Sequence, residues 1–200
     1  MIPRHLLIAV GIMLLVASGM SLYMWRMRGR DARTQPAAAT SSRPVAPPVT
    51  GPTEPVTLYV AYDDGGVLRS RSARIPLPSD RQQRGGEILR ALLSVYEDKS
   101  TPHALGAGAE VRDVYLLEPG LAVVDLNGAF ADGHRSGVLV EELTMASLVE
   151  TLAANLPGVA RVKFLVDGKD RDTLAGHADL SFPYEVSAVH QLAQQLQEAH

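Results

Sequence analysis

Cysteine is absent from the 200 residues of this chain. The absence excludes a disulfide framework, a thiol nucleophile, a cysteine-based zinc site and a lipid-bearing N-terminal cysteine. It does not identify the compartment, because disulfides are permitted outside the cytoplasm but not required there. Aromatic residues make up only 5% of the chain and the formal net charge is only -3, so nothing here indicates a nucleic-acid-binding surface.

Catalytic signature motifs are also missing. The sequence contains no phosphate-binding loop, dinucleotide-binding fingerprint, zinc-protease motif or nucleophile elbow. Its apolar fraction of 46% and charged fraction of 20% are those of a globular protein. The length allows one ordinary domain with additional segments. We therefore expect one folded domain that is not an enzyme and that holds no cofactor.

An uncharged run from Leu6 to Trp25 is long enough to cross a bilayer as a helix, which takes about 20 residues. Basic residues flank the run on both sides, and aromatic residues lie near its second end. Two interpretations compete for residues 1–30: an uncleaved membrane anchor, or a secretory signal cleaved near Ala17–Gly19. The lack of a clean cleavage motif and the continued hydrophobicity up to Trp25 favour the anchor.

Residues 31–55 carry six prolines and almost no large apolar side chain. Such a segment cannot bury enough surface to fold, and its prolines predict a semi-extended tether. A loose proline-rich ligand motif from Pro44 to Pro47 is the alternative. The arginines at positions 26, 28 and 30 follow the apolar run and, counted alone, would keep the C-terminal part in the cytoplasm.

Residues 56–185 show the periodicity of a small α+β domain. The predicted elements are strands at Val56–Tyr62 and Val67–Leu77, a helix at Gly86–Tyr96, a hairpin of Glu110–Glu118 and Leu121–Leu126, a helix at Ser136–Leu156, a strand at Val159–Val166 and a return arm from Asp172 to Leu174. This order predicts a two-layer sandwich, with two main helices on one face of a mixed, largely antiparallel sheet. Residues 186–200 form a separate amphipathic tail.

Four motifs occur in a fixed order in the second half of the domain. They are GLAVVDLN from Gly120, LPGV from Leu156, VKFLVDG from Val162 and GHADL from Gly176. Together they resemble the GerMN domain over residues 56–185, although the chain has one copy instead of a tandem pair and lacks a lipobox cysteine.

The resemblance implies an extracytoplasmic domain in a bacterial envelope protein, exported as a lipoprotein or on a membrane anchor. It also implies a fold like the ring-building motifs of secretion systems and no established catalytic residues. In spore formers, the namesake of the family supports assembly of a trans-envelope complex. On this ground we set the arginine count aside and place the C-terminal domain outside the cytoplasm.

A polar cluster before the second long helix, comprising Asp125, Asn127, Asp132 and His134, contains residue types that could bind a metal or perform acid–base chemistry. A solvated loop that holds turns and caps the helix explains the same residues better. The acids at 167, 170 and 172 have the wrong spacing for a calcium loop and fit a hairpin turn.

The histidine of the GHADL motif is the remaining candidate, but no nucleophile elbow accompanies it. We therefore predict no catalytic residue and no metal site. We predict instead a contact surface that includes Asp125, Asn127, His134, His177 and Asp179.

The sequence thus predicts a non-catalytic interaction or assembly module, anchored in the cytoplasmic membrane through residues 6–25 and exposed on its outer side. The expected partners are envelope proteins, bound through a sheet edge or helix face, with self-association as one form. A peptidoglycan-binding or peptidoglycan-processing accessory domain is the alternative, which the few aromatic side chains disfavour. Nucleic acid is not an expected partner.

Overall fold

The computed structural model describes residues 53–98 and 100–198. The predicted anchor at 1–30 and nearly all of the predicted tether at 31–55 lie outside this range. Within the described residues, every helix is too short or too polar to traverse a bilayer. The membrane span over residues 6–25 therefore stays a prediction.

The described residues form an α+β fold, as predicted. The elements are β1 (Thr53–Tyr62), β2 (Val67–Pro76), α1 (Arg81–Tyr96), β3 (Val111–Leu117), β4 (Leu121–Leu126), α2 (Gly128–Asp132), α3 (Val138–Asn155), β5 (Arg161–Val166), β6 (Tyr184–Glu185) and α4 (Val186–Glu198). The strands divide between two sheets, an antiparallel β1–β2 ribbon and a four-stranded sheet in the order β3-β4-β5-β6. In the larger sheet, β4 and β5 run parallel and the other pairs are antiparallel.

The ribbon stays separate because side chains of α3 close the free edge of β1. Thr57 donates its N–H to Asn155 Oδ1 (2.9 Å) and accepts from Asn155 Nδ2 (2.7 Å). Tyr59 donates to Thr151 Oγ1 (2.9 Å) and accepts from Ser147 Oγ (2.6 Å). Four helical residues rise about 6 Å and two strand residues about 6.7 Å, so the two repeats stay nearly in register. A further strand therefore has no free backbone groups to pair with here.

Both long helices begin at positions that differ from the predicted ones. Helix α1 starts at Arg81 instead of Gly86, because Asp80 Oδ1 accepts from Gln83 N (2.9 Å) and caps an extra turn. Helix α3 starts at Val138, two residues after the predicted start at Ser136, and its N-cap is Gly137. The buried core joins α1 and α3 to the inner faces of both sheets, with Phe130, Phe164, Leu58, Leu68, Ile88, Leu89, Leu92, Leu126, Leu143, Met145, Leu148 and Leu152 as its largest fully buried side chains.

The chain after β5 differs from the predicted hairpin. Asp167 (φ 51°) and Gly168 (φ 72°) form the expected tight turn, but the predicted return arm from Asp172 to Leu174 is wrong. Those residues contribute a single bridge, Thr173 to Asp179, because Leu174 turns into the core instead of continuing a ladder. The strand that pairs with β5 is the two-residue β6.

The predicted C-terminal tail forms helix α4, which packs against α3 and β2. Val189 and Ala193 are buried in this contact. Gln197 Nε2 donates to the carbonyl of Leu68 on β2 (2.9 Å). Helix α4 is therefore part of the packed domain.

Candidate functional site

A buried carboxylate, Glu141 in the first turn of α3, organises the loop that carries the GHADL motif. Its side chain is 0% exposed. Its Oε2 accepts from the backbone N–H groups of Ala175 (3.0 Å), His177 (2.9 Å) and Ala178 (2.9 Å). Its Oε1 accepts from Gly137 N (3.1 Å) and lies 2.9 Å from His177 Nδ1. One side chain therefore fixes the start of the helix and the loop together.

Glu141 is a structural anion and not an acid–base group. Burial alone would raise its pKa, but the hydrogen bonds from His177 and from the surrounding backbone outweigh burial and lower the pKa from 4.5 to about 2. The carboxylate is therefore charged at neutral pH and is inaccessible to a substrate. Gly176 makes the loop possible, because its φ of 120° is strained for any residue with a side chain.

His177 and Asp179 lie at the surface of this loop. The His177 side chain is 41% exposed, with Nδ1 directed to Glu141 and 3.4 Å from Ser136 Oγ. Asp179 is exposed and its Oδ1 accepts from Ser181 N (2.7 Å), which holds a local turn. Both side chains keep solvent-facing atoms, and their role as contact residues stays a prediction.

Asp125 is buried at the end of β4, where it ties two strands together. Its Oδ1 accepts from Gly168 N (2.7 Å) in the turn after β5. Its Oδ2 lies 3.2 Å from Arg112 Nε, and the same guanidinium donates to Asp167 (2.7 Å). This arginine and the turn explain why an acidic residue can end a buried strand.

Asn127 holds three neighbouring segments through one amide. Its Oδ1 accepts from Phe130 N (2.9 Å), which caps helix α2, and from Glu110 N (3.0 Å). Its Nδ2 donates to the carbonyl of Gly108 (2.7 Å). Both polar atoms of the side chain are thereby bonded within the fold. Asn127 caps the short helix α2, whereas the predicted cap lay on the long helix α3, which has no side-chain cap.

His134 belongs to a buried histidine pair that the sequence did not indicate. His134 Nε2 and His103 Nε2 each lie 2.7 Å from Thr144 Oγ1. His103 Nδ1 lies 2.6 Å from Asp63, which also pairs with Arg135. Burial lowers the pKa of both imidazoles. No local motif marks His103, because its partners lie about 40 residues away in either direction.

The predicted contact residues therefore do not converge on one site. Asp125, Asn127 and His134 lie in separate hydrogen-bonded groups, and His177 and Asp179 share a different loop. The acids after β5 also diverge: Asp167 pairs with Arg112 and Asp170 with Lys163. Over residues 53–98 and 100–198, no three carboxylate or imidazole groups cluster closely enough to hold a metal ion.

A feature that the sequence did not place correctly is an exposed apolar strip on the outer face of the four-stranded sheet. The alternation along β3 predicts that Tyr115 and Leu117 share the face of Val111. A β-bulge between Val111 and Asp113 shifts the register, so that Val114 faces the core instead. Tyr115 and Leu117 are consequently 45% and 51% exposed.

Residues of β4 extend this surface. Tyr115 pairs with Val123 and Leu117 pairs with Leu121, so all four side chains project from the outer face. Leu121 and Val123 are partly exposed. We call Tyr115, Leu117, Leu121 and Val123 the outer strip.

One family model and several solved structures match this chain. The family model "Germane: Sporulation and spore germination" matches residues 57–172. The tandem GerMN domains of the Bacillus subtilis sporulation protein GerM superpose with a TM-score of 0.50 at 17% identity, covering 66% of this chain and 46% of that one. The first of those domains alone gives 0.47 at 18% identity, with 64% and 93% covered.

A Clostridium perfringens structure provisionally described as a lipoprotein gives a TM-score of 0.47 at 17% identity, covering 70% of this chain and 92% of that one. No curated protein gives a significant match. The chain thus spans less than half of the tandem GerM structure.

Proposed function

We propose, from the premise that this chain belongs to the Germane family of sporulation and spore germination domains, that it is a non-catalytic assembly module of the bacterial envelope. In this proposal residues 6–25 anchor the chain in the cytoplasmic membrane, residues 31–55 act as a tether, and the folded domain binds another envelope protein outside the cytoplasm. The observation that carries the proposal is the outer strip.

The outer strip has the properties of a protein contact surface. It combines an aromatic residue, Tyr115, with aliphatic side chains on a flat sheet face, and exposed apolar patches of this kind mark binding surfaces. The face opposite packs against α1, so the strip is the uncovered side of a two-layer domain. A bulge that turns two large apolar side chains outward costs burial, which favours a use for them in binding.

The absence of accessible chemistry supports a non-catalytic role. Within the described residues, the polar side chains that the sequence analysis singled out before α3 form hydrogen bonds that fix a turn, a helix start or a buried contact. Of the exposed candidates, His177 uses one ring nitrogen, Nδ1, for both Glu141 (2.9 Å) and the more distant hydroxyl of Ser136 (3.4 Å), so Glu141 and Ser136 do not lie on opposite ring nitrogens as in a nucleophile–base–acid relay. Asp179 accepts a backbone N–H in a local turn. A binding role needs neither a nucleophile nor a metal.

Site-specific crosslinking in native membranes tests the proposal. A photoreactive amino acid at Tyr115 or Leu117 should give a discrete protein adduct, whereas the same group at exposed Ser94 on α1 should give none. Glutamate substitutions at the two strip positions should remove the adduct of the neighbouring probe. They should change the free energy of unfolding by no more than about 0.5 kcal/mol, as ordinary surface substitutions do.

Two results would overturn the proposal. Crosslinks that return only monomer, together with strong binding of the chain to purified cell wall, would favour the peptidoglycan alternative. A C-terminal reporter that is active only outside the cytoplasm, and that stays inactive here, would reject the proposed topology.

A further inference from the structure

Within the described residues, β2 leaves part of its outer edge without hydrogen-bond partners. The N–H groups of Thr57 and Tyr59 on β1 point away from β2 toward α3. In an antiparallel ladder, the backbone N–H and C=O groups of two opposite residues either all point toward the other strand or all point away from it. Ser72 and Ser70, which face Thr57 and Tyr59 across the ladder, therefore direct their N–H and C=O groups outward. Helix α4 packs against β2, and its Gln197 donates to the Leu68 carbonyl at this edge.

At two other sheet edges, side chains bond to outward backbone groups. Residues of α3 satisfy the outer groups of β1 at Thr57 and Tyr59. On β3, the N–H of Leu116 donates to Gln82 of α1 (3.2 Å), and α1 packs along that strand. The stretch from Ser70 to Arg74 therefore differs from these edges in having its outward backbone groups open.

The open stretch is strongly basic. Strand β2 contains arginines at 69, 71 and 74 and no acidic residue, and all three arginines are exposed. Arg69 stacks on Tyr62, with its guanidinium carbon 4.7 Å from the ring centroid. Over the part of the chain that the structure describes, Arg71 forms no ion pair. Positive charge at an open edge selects for a negatively charged strand, because opposite charges stabilise cross-strand pairs.

We propose that the β2 edge from Ser70 to Arg74 is a docking site for an extended acidic segment of another envelope protein, added as a third strand to the ribbon. The inference rests on the proposed function and names the chemistry of one partner. The segment pairs with the outward groups of Ser70, Ser72 and Arg74. Acidic side chains two residues apart lie on the face of Arg69 and Arg71, since strand side chains alternate.

A second copy of this chain does not fit the same edge. Two β2 strands would place arginines opposite arginines, which is unfavourable, and the β1 edge of another copy is already occupied by α3 side chains. Charged residues on an edge strand also occur as a guard against aggregation. A measurement separates the two roles, because an edge that is charged only to prevent aggregation should not bind an added strand of any sequence.

Fluorescence anisotropy with the full-length chain in detergent separates these roles. The probes are labelled ten-residue peptides, one alternating glutamate with threonine and a matched one alternating lysine with threonine. The acidic peptide should bind, the lysine peptide should not, and added salt should weaken the binding. Hydrogen exchange of the outward amides at Ser70, Ser72 and Arg74 should slow in the complex.

Ser72→Pro tests whether the backbone takes part. The Ser72 N–H is not used by the ladder to β1, so proline is tolerated at this edge position, but it removes a donor at the centre of the docking stretch. Affinity for the acidic peptide should fall by about tenfold or more. Ser72→Ala keeps the N–H and should bind as the original chain does. Reversal of both Arg69 and Arg71 to glutamate should exchange the preference toward the lysine peptide.

Equal binding of the two peptides, or no binding, would reject the docking site. So would an affinity that Ser72→Pro leaves unchanged, because the arginines alone would then account for it. Binding to purified cell wall is a further outcome. If the acidic peptide competes with that binding, and the Ser72→Ala variant still shows it, the arginines serve peptidoglycan and the proposal is overturned. Outer-strip crosslinks without peptide binding would remove this site and leave the proposed function standing.

Discussion

Replacement of Glu141 by glutamine is the sharpest test of how the fold holds the GHADL loop. The buried carboxylate accepts four backbone N–H groups and lies beside His177 Nδ1. Its pKa falls from 4.5 to about 2, which at about 1.4 kcal/mol per pKa unit corresponds to about 3 kcal/mol of stabilisation. Glutamine loses the charge and turns an NH₂ group toward N–H donors, so a loss of about 3 kcal/mol is expected at pH 7.

The pH dependence follows from the sign of the shift. A carboxyl group with a lowered pKa in the folded state contributes its full stabilisation above the unfolded value of 4.5 and loses it as the pH falls toward the folded value. The difference between the original chain and Glu141→Gln should therefore be constant above about pH 5.5 and shrink to about half near pH 3.

Urea unfolding of both proteins at several pH values measures this difference. Glu142→Gln is the matched control, because this neighbour on α3 is only partly buried, and it should change stability by less than about 0.5 kcal/mol. Equal midpoints for the two variants at pH 7 would refute the reasoning. A difference that does not change between pH 7 and pH 3 would do the same.

Three further substitutions test the packing. Gly106→Ala should destabilise the domain by several kcal/mol, because its methyl group would lie 2.5 Å from a backbone oxygen of another loop. Gly86→Ala in α1 meets only a flexible side chain and should stabilise the domain by about 0.5–1 kcal/mol. Thermal unfolding of the two variants should therefore show shifts of opposite sign. Thr151→Val leaves the Tyr59 N–H without its acceptor and should lower the free energy of unfolding by about 1–3 kcal/mol. The amide of Tyr59 should then exchange faster. An unchanged exchange rate would show that this contact does not close the β1 edge.

Periodicity and turn chemistry predicted the helices and most of the strands. Pro157–Gly158 follows α3, and Asp167–Gly168 turns the chain after β5, as their residue types require. The predicted start of α1 at Gly86 is five residues late and leaves Gly85 outside the helix. Gly85 lies inside it, where a side chain would lie 3.0 Å from Val114 on β3.

Features that depend on distant partners could not be predicted. The division into two sheets follows from Ser147, Thr151 and Asn155, which bond to β1 residues about 90 to 100 positions away. Their spacing of four is visible in the sequence, but polar residues in a buried helix indicate nothing until the acceptor is known. The exposure of Tyr115 depends on a bulge whose register is set by β4.

The family motifs turn out to specify scaffold contacts. Asp125 accepts a hydrogen bond from the N–H of Gly168 in the VKFLVDG motif. Asn127 accepts hydrogen bonds from the backbone N–H groups of Glu110 and Phe130 around helix α2. The GHADL loop receives its position from Glu141, a residue outside all four motifs. A polar side chain that spends its hydrogen bonds inside the fold has little left for a partner, because each bond broken for binding costs about 1–3 kcal/mol.

If the domain binds a partner as proposed, the contact should use residues whose polar and apolar groups are not already bonded or buried within the fold, and the outer strip and the β2 edge meet that condition. Neither overlaps the four motifs except at Leu121 and Val123, whose neighbours Ala122 and Val124 carry the core packing of β4. Under the proposal, substitutions at Tyr115, Leu117 or Ser72 should change binding and leave the fold of the domain unchanged. A shared motif set identifies the scaffold of such a chain, and we propose that these exposed positions select its binding partner.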